Sequence, residues 1–317
     1  MAKYALQRVF EAIPLLFLVT LVTYFIMNLT PGGPLAVYLH NPHVTQSQIA
    51  VLAKQLGLDQ PWYVRYFKWL WSLLHGNWGY SYFSGQPVIQ LIGQRLPNTL
   101  ILMGAAFLVS LTLGIPLGIY SATHQYSIFD YSFSFGSFFA WAMPSFFFGL
   151  LLQMIFAVKL GWLPVSGMYS AFYPPSFLEL IRHLILPTTV LGLGSLAGWS
   201  RFMRSGLLEV VRQDYIRTAK AKGLKERTVI LKHALKNAVL PIVTIIGMDL
   251  PAFFGGAVIT EEIFSWPGMG RLFLASLNDR DYPIQMAALL ISAALLVLGN
   301  LLADLAYGFL DPRIQYN

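Results

Sequence analysis

Long apolar runs separated by short polar connections dominate the chain. Six of these runs reach the length of about 20 apolar residues that a helix needs to cross the hydrocarbon core of a bilayer. They cover residues 9–29, 99–121, 131–160, 183–202, 237–260 and 283–310. The pattern therefore predicts an all-α integral membrane protein with six transmembrane helices.

Composition supports the membrane class. Hydrophobic residues make up 56% of the 317 residues and charged residues only 11%, whereas a soluble domain carries about a quarter charged residues. The first apolar run is longer than the core of a signal peptide and has no clear cleavage site, so we expect an uncleaved span. The chain has no cysteine, which excludes disulfides and thiolate metal sites. His40 and His43 have no acidic neighbour, and we expect no metal site.

The distribution of Lys and Arg predicts the topology. Residues 201–236 hold ten Lys and Arg against three acidic residues, and such segments stay in the cytoplasm. With six spans, both termini are then cytoplasmic. The connection 124–130 has no Lys or Arg, although this topology also places it inside. Because the positive charge is explained by topology, we expect no nucleic-acid partner.

A long extracytoplasmic loop, residues 30–98, follows the first span in this topology. It contains the aromatic segment PWYVRYFKWLWSLLHG, residues 61–76. Trp and Tyr favour the headgroup zone, so the segment lies on the membrane surface or packs against the outer mouth of the bundle. We divide the chain into residues 1–98 (first helix and loop), 99–310 (core transmembrane domain) and 311–317 (cytoplasmic tail).

Between the fourth and fifth spans lies a polar, helix-favouring stretch, DYIRTAKAKGLKERTVILKHALKNAVLP, residues 214–241. Its Ala, Lys and Arg residues favour helix, and Gly223 is a natural helix stop. The stretch therefore predicts a helix, a glycine turn and a second helix. It either docks on a partner or is held near anionic lipid by its charge.

Small and acidic residues inside the spans suggest further roles. Gly114 with Gly118, and Gly194 with Gly198, have the G-x-x-x-G spacing that lets helices pack closely. An ionisable group at membrane depth is a functional candidate, and Asp249, beside Met248, qualifies. Asp249 either lines a cavity between the spans, where it would meet a cationic amino group, or caps a kink before a proline.

Two further observations concern the outer side and the energy source. Glu261 and Glu262 begin an outer loop, where they would face the outside or the mouth of a cavity. The chain contains no G-x-x-x-x-G-K-[ST] phosphate loop, so we expect that it does not hydrolyse ATP itself.

Sequence blocks along the whole chain resemble those of one family. Ala219 and Gly223 match the last Ala and the Gly of the "EAA" loop of ABC importer permeases, although Arg217 and Thr218 replace its first two residues. The whole set resembles the B-type permease of dipeptide and oligopeptide importers. The blocks are LTPGGP, LPNTL, GWLPVSG, DYIRTAKAKGL, LKHALKNAVLP, EEIFSWPGMGRL and LDPRI.

This resemblance implies a transport subunit, not an enzyme, that forms half of a translocation pathway for peptides. It implies a second homologous permease, two cytoplasmic ATPases that bind ATP and Mg, an external substrate-binding protein, and a prokaryotic plasma (inner) membrane with its lipid. Permeases for nickel or glutathione remain alternatives within the family, and a stand-alone secondary transporter outside it.

The resemblance also assigns a role to the loop 201–236, which would hold a coupling helix for the ATPase. Small Ala219 and Gly223 would allow close approach to that partner. The coupling residues are Asp214, Arg217, Thr218, Ala219, Lys220, Lys222, Gly223 and Leu224.

Overall fold

The computed structural model describes residues 2–29, 33–35, 45–55, 57–239, 242–243, 245–246 and 257–310. In these ranges the regular elements are helical, as expected for the all-α class. Four helices are long and apolar enough to cross a membrane: Phe10–Leu29, Val88–Thr123, Phe177–Val211 and Tyr282–Leu302. They coincide with the first, second, fourth and sixth predicted spans.

Twelve helical elements are numbered here in chain order within the described ranges. Two of them change their hydrogen bonding to the π type, over Gln153–Lys159 in α6 and over Val229–Ala234 in α9. The elements are α1 (Ala2–Leu29), α2 (Gln46–Gln55), α3 (Trp62–Leu74), α4 (Val88–Thr123), α5 (Ile128–Ala142), α6 (residues 145–159), α7 (Phe177–Val211), α8 (Asp214–Ala221), α9 (residues 226–238), α10 (Val258–Ile263), α11 (Met269–Asn278) and α12 (Tyr282–Leu310).

The third predicted span consists of two helices instead of one. Met143 is extended (φ −79°, ψ 125°) and ends α5, because a residue before proline avoids the helical region. Pro144 then precedes Ser145, the first residue of α6. The fifth predicted span lies mostly outside the described residues, and so do Met248 and Asp249. The number of spans therefore stays a prediction.

Two spans are longer helices than their apolar runs suggest. Helix α4 begins at Val88, directly after Pro87, and continues through Pro97, so the predicted loop 30–98 ends earlier than expected. Helix α7 begins after Ser176, whose Oγ accepts a hydrogen bond from the Glu179 amide at 3.2 Å and caps the helix. At ~1.5 Å per residue, α7 is roughly 50 Å long, so it extends beyond a bilayer core.

Helices α4 and α7 form the closest helix pair, and glycines make the contact possible. A Cβ on Gly114 would lie 3.2 Å from the Leu196 carbonyl oxygen, and one on Gly118 would collide with the Ser200 carbonyl. On the α7 side, a Cβ on Gly192 would lie 3.0 Å from Ser110 Oγ. The predicted packing role of Gly114 and Gly118 is confirmed.

The same prediction is wrong for Gly194 and Gly198. Among the described residues, a Cβ on Gly194 would meet Trp141 of α5 alone, at 4.0 Å, and one on Gly198 would meet no atom within 4 Å. Both glycines lie on the face of α7 turned away from α4. The spacing of small residues was recognised correctly, but the face that approaches α4 is the one carrying Gly192 and Ser200.

Helix α3, the aromatic segment, packs on α1. Tyr66 is fully buried there, and its hydroxyl lies 3.0 Å from Thr20 Oγ1. The opposite face of α3 leaves Tyr63, Phe67 and Trp71 at least half exposed. The segment therefore packs against a helix of its own chain, and its placement at the lipid headgroups stays a prediction.

Candidate functional site

The basic segment after α7 forms a compact structure that we call the basic arm: α8, the turn at Gly223 and α9. Helix α8 ends at Ala221, and Gly223 has a φ of +75°, which only glycine adopts without cost. Helix α9 then runs back toward the membrane helices. Helix, glycine turn and helix follow one another as the sequence predicts.

One face of α8 is buried against its own chain. Ile216 and Ala219 belong to an apolar cluster with Met203 and Leu207 of α7. The cluster also contains Ala122 from the end of α4 and residues of α9: Val229, Ala234 and Ala238. Burying a side chain such as Ile216 stabilises the fold by about 1.5–3 kcal/mol. The basic arm is thus fixed to the ends of α4 and α7.

This packing corrects the expectation for Ala219. Its side chain is only 7% exposed and faces α9 and α7, so it does not offer a close approach to a partner. The small side chain instead lets α8 lie close to the rest of the arm. The helical period predicted that Ala219 and Ile216 share a face, but not that this face is the inner one.

The remaining predicted coupling residues lie on the outer face of the arm. This exposed face consists of Asp214, Arg217, Thr218, Lys220, Lys222, Gly223 and Leu224. Asp214 and Arg217 approach to 3.6 Å at the surface, a pair that contributes at most about 1 kcal/mol. The outer face therefore carries three cations, Arg217, Lys220 and Lys222, against one carboxylate and is exposed.

An ion pair that sequence analysis did not find ties α5 to this unit. Arg204 of α7 donates from Nε and Nη2 to the two carboxylate oxygens of Asp130, each at 2.7 Å. Ser121 Oγ of α4 and the Tyr126 amide also donate to this carboxylate. Asp130 is buried, and its hydrogen bonds to Arg204 hold the pKa of its carboxyl well below the usual range.

The Asp130–Arg204 pair explains how the connection 124–130 is held without any Lys or Arg of its own. The cation that neutralises Asp130 is Arg204 of α7, which lies seven residues before the end of that helix. The basic arm begins shortly after it. Because Ser121 and Asp130 also join, the ends of α4 and α7, the start of α5 and the basic arm form one packed unit. The basic arm is therefore in contact, directly or through this unit, with α4, α5 and α7.

A second cluster of hydrogen bonds, which we call the Glu261 hub, is centred on Glu261 of α10, near the start of α11. Its carboxylate accepts hydrogen bonds from Thr99 Oγ1 at 2.7 Å and from the Arg271 amide at 3.0 Å. Thr99 Oγ1 in turn accepts from the Met269 amide at 2.7 Å. Glu261 is fully buried, and this burial raises the pKa of its carboxyl. Glu261 therefore does not face an external protein or a cavity mouth, while Glu262 is half exposed.

Three of the sequence blocks that resemble the permease family meet at the Glu261 hub. From LPNTL, Asn98 donates from Nδ2 to the Pro267 carbonyl at 2.8 Å, and Trp266 Nε1 donates to the Asn98 carbonyl at 2.9 Å. From GWLPVSG, the Gly167 amide donates to the Phe264 carbonyl at 2.7 Å. Hydrogen bonds thus tie the three blocks to one another. The positions of the blocks in the sequence do not predict these contacts.

A third buried carboxylate fixes the segment before α4. Asp281, at the start of α12, accepts hydrogen bonds from Ser81 Oγ and from the amides of Tyr82 and Phe83. These contacts hold residues 80–87 against the junction of α11 and α12. The part of the outer loop next to α4 is therefore an ordered component of the helical body.

The chain matches two models of one protein family. The model of the binding-protein-dependent transport system inner membrane component matches residues 114–316, and the N-terminal model of that membrane component matches residues 1–103. The chain belongs to this family of permeases. The first match contains the basic arm and the Asp130–Arg204 pair.

Full-length relatives support the membership. The oligopeptide transport system permease protein AppB of Bacillus subtilis is 45% identical over 100% of both chains. The di/tripeptide permease DppB of Pseudomonas aeruginosa is 38% identical over 100% of this chain and 99% of its own length. The dipeptide permease DppB of Escherichia coli K12 is 37% identical over the same shares. This permease is therefore similar to them from end to end.

Proposed function

We propose that this chain is the permease subunit of an ATP-driven importer of dipeptides or oligopeptides and that it couples to an ATPase through the basic arm. The observation that carries the proposal is the arm itself, a rigid cationic surface packed onto the ends of α4 and α7. Family membership supports a transport role. The names of the full-length relatives, which are oligopeptide, di/tripeptide and dipeptide permeases, favour peptides over nickel or glutathione.

The topology that goes with this function has six spans and cytoplasmic termini. Helices α5 and α6 together make the third span, interrupted at Pro144, and residues 237–260 make the fifth. Kinked spans are tolerated where neighbouring helices satisfy the freed backbone groups. Ten Lys and Arg in residues 201–236 support a cytoplasmic basic arm. The Glu261 hub then lies on the outer side.

Coupling follows from rigidity. A stiff, packed element can convert a displacement at its surface into a rigid-body movement of the helices that it joins. The exposed face of α8 and the Gly223 turn would dock on the ATPase, and acidic groups there would pair with Lys220 and Lys222. The displacement would pass through the Ile216 cluster to α7 and through Arg204 to Asp130 on α5.

The partners follow from the same scheme. This chain would supply half of the pathway and a second homologous permease the other half. Two cytoplasmic ATPases would bind ATP and Mg, and an external substrate-binding protein would deliver the peptide in the inner membrane of a prokaryote. Asp249 and Met248 stay candidates for the pathway.

The test is charge reversal on the outer face of the arm. We expect Lys220→Glu combined with Lys222→Glu to lower ATPase assembly and peptide uptake at least tenfold, because two attractive contacts become repulsive. Lys232→Glu, an exposed change on α9, is the matched control and should leave both intact. Normal assembly and uptake in the double variant would contradict the docking role.

A further inference from the structure

A cavity of about 440 Å³ lies between α5 and α7. Its walls combine aromatic rings, hydroxyls and two cations, Arg201 and Arg204, and the volume is within the ~300–1,000 Å³ of ligand pockets. The lining includes Ser134, Phe138 and Trp141 of α5 and Gly198, Arg201 and Ser205 of α7.

Helical spacing puts these groups on two facing surfaces. Ser134, Phe138 and Trp141 recur at i, i+4 and i+7 on α5. Gly198, Arg201 and Ser205 recur at i, i+3 and i+7 on α7. Gly198 leaves space in the cavity, since a Cβ there would meet no atom of the described residues within 4 Å. The glycine that does not pack against α4 is thus the one that leaves room here.

Arg201 is the unusual group in this cavity. Its guanidinium carbon lies 4.3 Å above the centre of the Phe138 ring, and the side chain is exposed. Arg204, one turn later, is held by Asp130 at 2.7 Å. Among the described residues, no acidic side chain forms an ion pair with Arg201. A cation exposed within a membrane helix marks a pathway or an anionic ligand.

We propose that this cavity is a pathway site for the C-terminal carboxylate of the passing peptide, with Arg201 as its cationic partner. The guanidinium would hold the carboxylate through paired N–H donors, and Ser205 and Ser134 supply further hydroxyl donors. Phe138 and Trp141 would contact the last side chain of the peptide. This inference rests on the proposed peptide-import function.

A phosphate headgroup of a membrane lipid offers the same oxyanion chemistry, so the test must separate the two sources. Two photoreactive probes are applied to the complete importer in proteoliposomes, and labelled residues are located by mass spectrometry. One probe is the tripeptide Ala-Ala-benzoylphenylalanine with a free C-terminal carboxylate, which the binding protein delivers. The other is phosphatidylglycerol with a diazirine near its headgroup.

We expect the peptide probe to label residues 134–141, and we expect Arg201→Gln to reduce this labelling on the order of tenfold, as the loss of a charge-assisted hydrogen bond implies. Arg182→Gln, the same change near the other end of α7, should leave the labelling unchanged. Labelling by the lipid probe alone, labelling by neither probe, or equal peptide labelling with and without Arg201 would each overturn the proposal.

Peptide uptake gives the second readout and separates this inference from the proposed function. Gly198→Leu fills the cavity where space is open, and we expect it to lower the maximal uptake rate at least fivefold while the complex still assembles. Gly104→Leu, at a glycine of α4 with no atom within 4 Å of a Cβ, is the control. Normal uptake in Gly198→Leu would overturn the cavity site alone, whereas failure of the wild-type importer to take up any peptide would overturn the function itself.

Discussion

Arg204 of α7 holds both carboxylate oxygens of Asp130 of α5 at 2.7 Å, across 74 residues of sequence. The Asp130 side chain is 3% exposed and that of Arg204 26%. Paired donors on paired acceptors fix the relative orientation of two helices as well as their distance. The pair lies where α4, α5 and α7 meet the basic arm, so it links the arm to the membrane helices.

Removing the charge of Asp130 should damage both stability and coupling. Because the pKa of Asp130 is lowered in the folded protein, its contribution is fully present above the ordinary aspartate range and is lost only as pH falls through the lowered pKa. At neutral pH we expect Asp130→Asn to cost about 3 kcal/mol, the low end for one partner of a buried pair.

The measurement for Asp130 combines the melting temperature in detergent with peptide imported per ATP hydrolysed, and both should fall. Arg204→Lys, which keeps the charge but not the paired geometry, should be intermediate. Asp214→Asn removes a surface pair and should leave the melting temperature unchanged. Unchanged coupling in Asp130→Asn would show that the pair is dispensable.

Glu261 predicts a pH-dependent stability of the opposite sign. Because burial raises the pKa of its carboxyl, the folded protein holds this proton more tightly than the unfolded chain. The resulting stability is complete below the ordinary glutamate pKa of about 4.3 and is lost as pH rises through the raised pKa.

The comparison that tests this is wild type against Glu261→Gln, measured by melting temperature between pH 4 and 8. We expect the advantage of wild type over the glutamine variant to shrink as pH rises. A difference that is independent of pH would mean that Glu261 keeps an ordinary pKa. Glu261→Ala should cost about 2–4 kcal/mol at low pH, since several buried donors lose their acceptor, and this cost should also shrink as pH rises.

Two glycines with the same helical context should respond in opposite ways. Gly118→Ala puts a Cβ against the Ser200 carbonyl and 2.7 Å from Met203 Cβ, so α4 and α7 must separate, at a cost of about 1–3 kcal/mol. Gly198→Ala places a Cβ in open space and should be neutral or stabilising by up to about 1 kcal/mol. Melting temperatures decide this, and equal effects at both positions would contradict the described helix contact.

The turn of the basic arm gives a backbone prediction. Gly223 has a φ of +75° and open space around a Cβ, so a side chain there meets conformational strain but no collision. We expect Gly223→Ala to cost roughly 1 kcal/mol and Gly223→Val more. Uptake should fall more in the valine variant than the loss of folded protein explains, because the docking surface shifts. Equal specific uptake in both variants would argue against a docking role for the turn.

The sequence was sufficient for features that depend on local pattern. Apolar length identified four of the helices that can span a membrane, and Gly223 identified the turn between α8 and α9. The spacing of Gly114 and Gly118 identified a close contact, although not its partner. In each case the physical cause acts within one helix or one turn.

Features that depend on distant partners were missed. Thr99 and Glu261 form a hydrogen bond although they are 162 residues apart. The identity of neither residue predicts which distant side chain it contacts. Ala219 was expected to approach a partner but lies in an apolar cluster of its own chain, because helical spacing gives a shared face but not the element that covers it. The end of α5 before Pro144 was also missed, because a proline inside an apolar run can either kink one helix or separate two helices.

The most direct test of the docking claim is a single-cysteine crosslink, which is clean because the chain has no cysteine. Leu224→Cys lies on the outer face of the basic arm, and Arg182→Cys is the exposed control near the other end of α7. With a short thiol-reactive crosslinker and the complete importer, the account predicts a product of this chain with the ATPase for Leu224→Cys alone. No ATPase product from Leu224→Cys, in a complex that imports peptide, would contradict it.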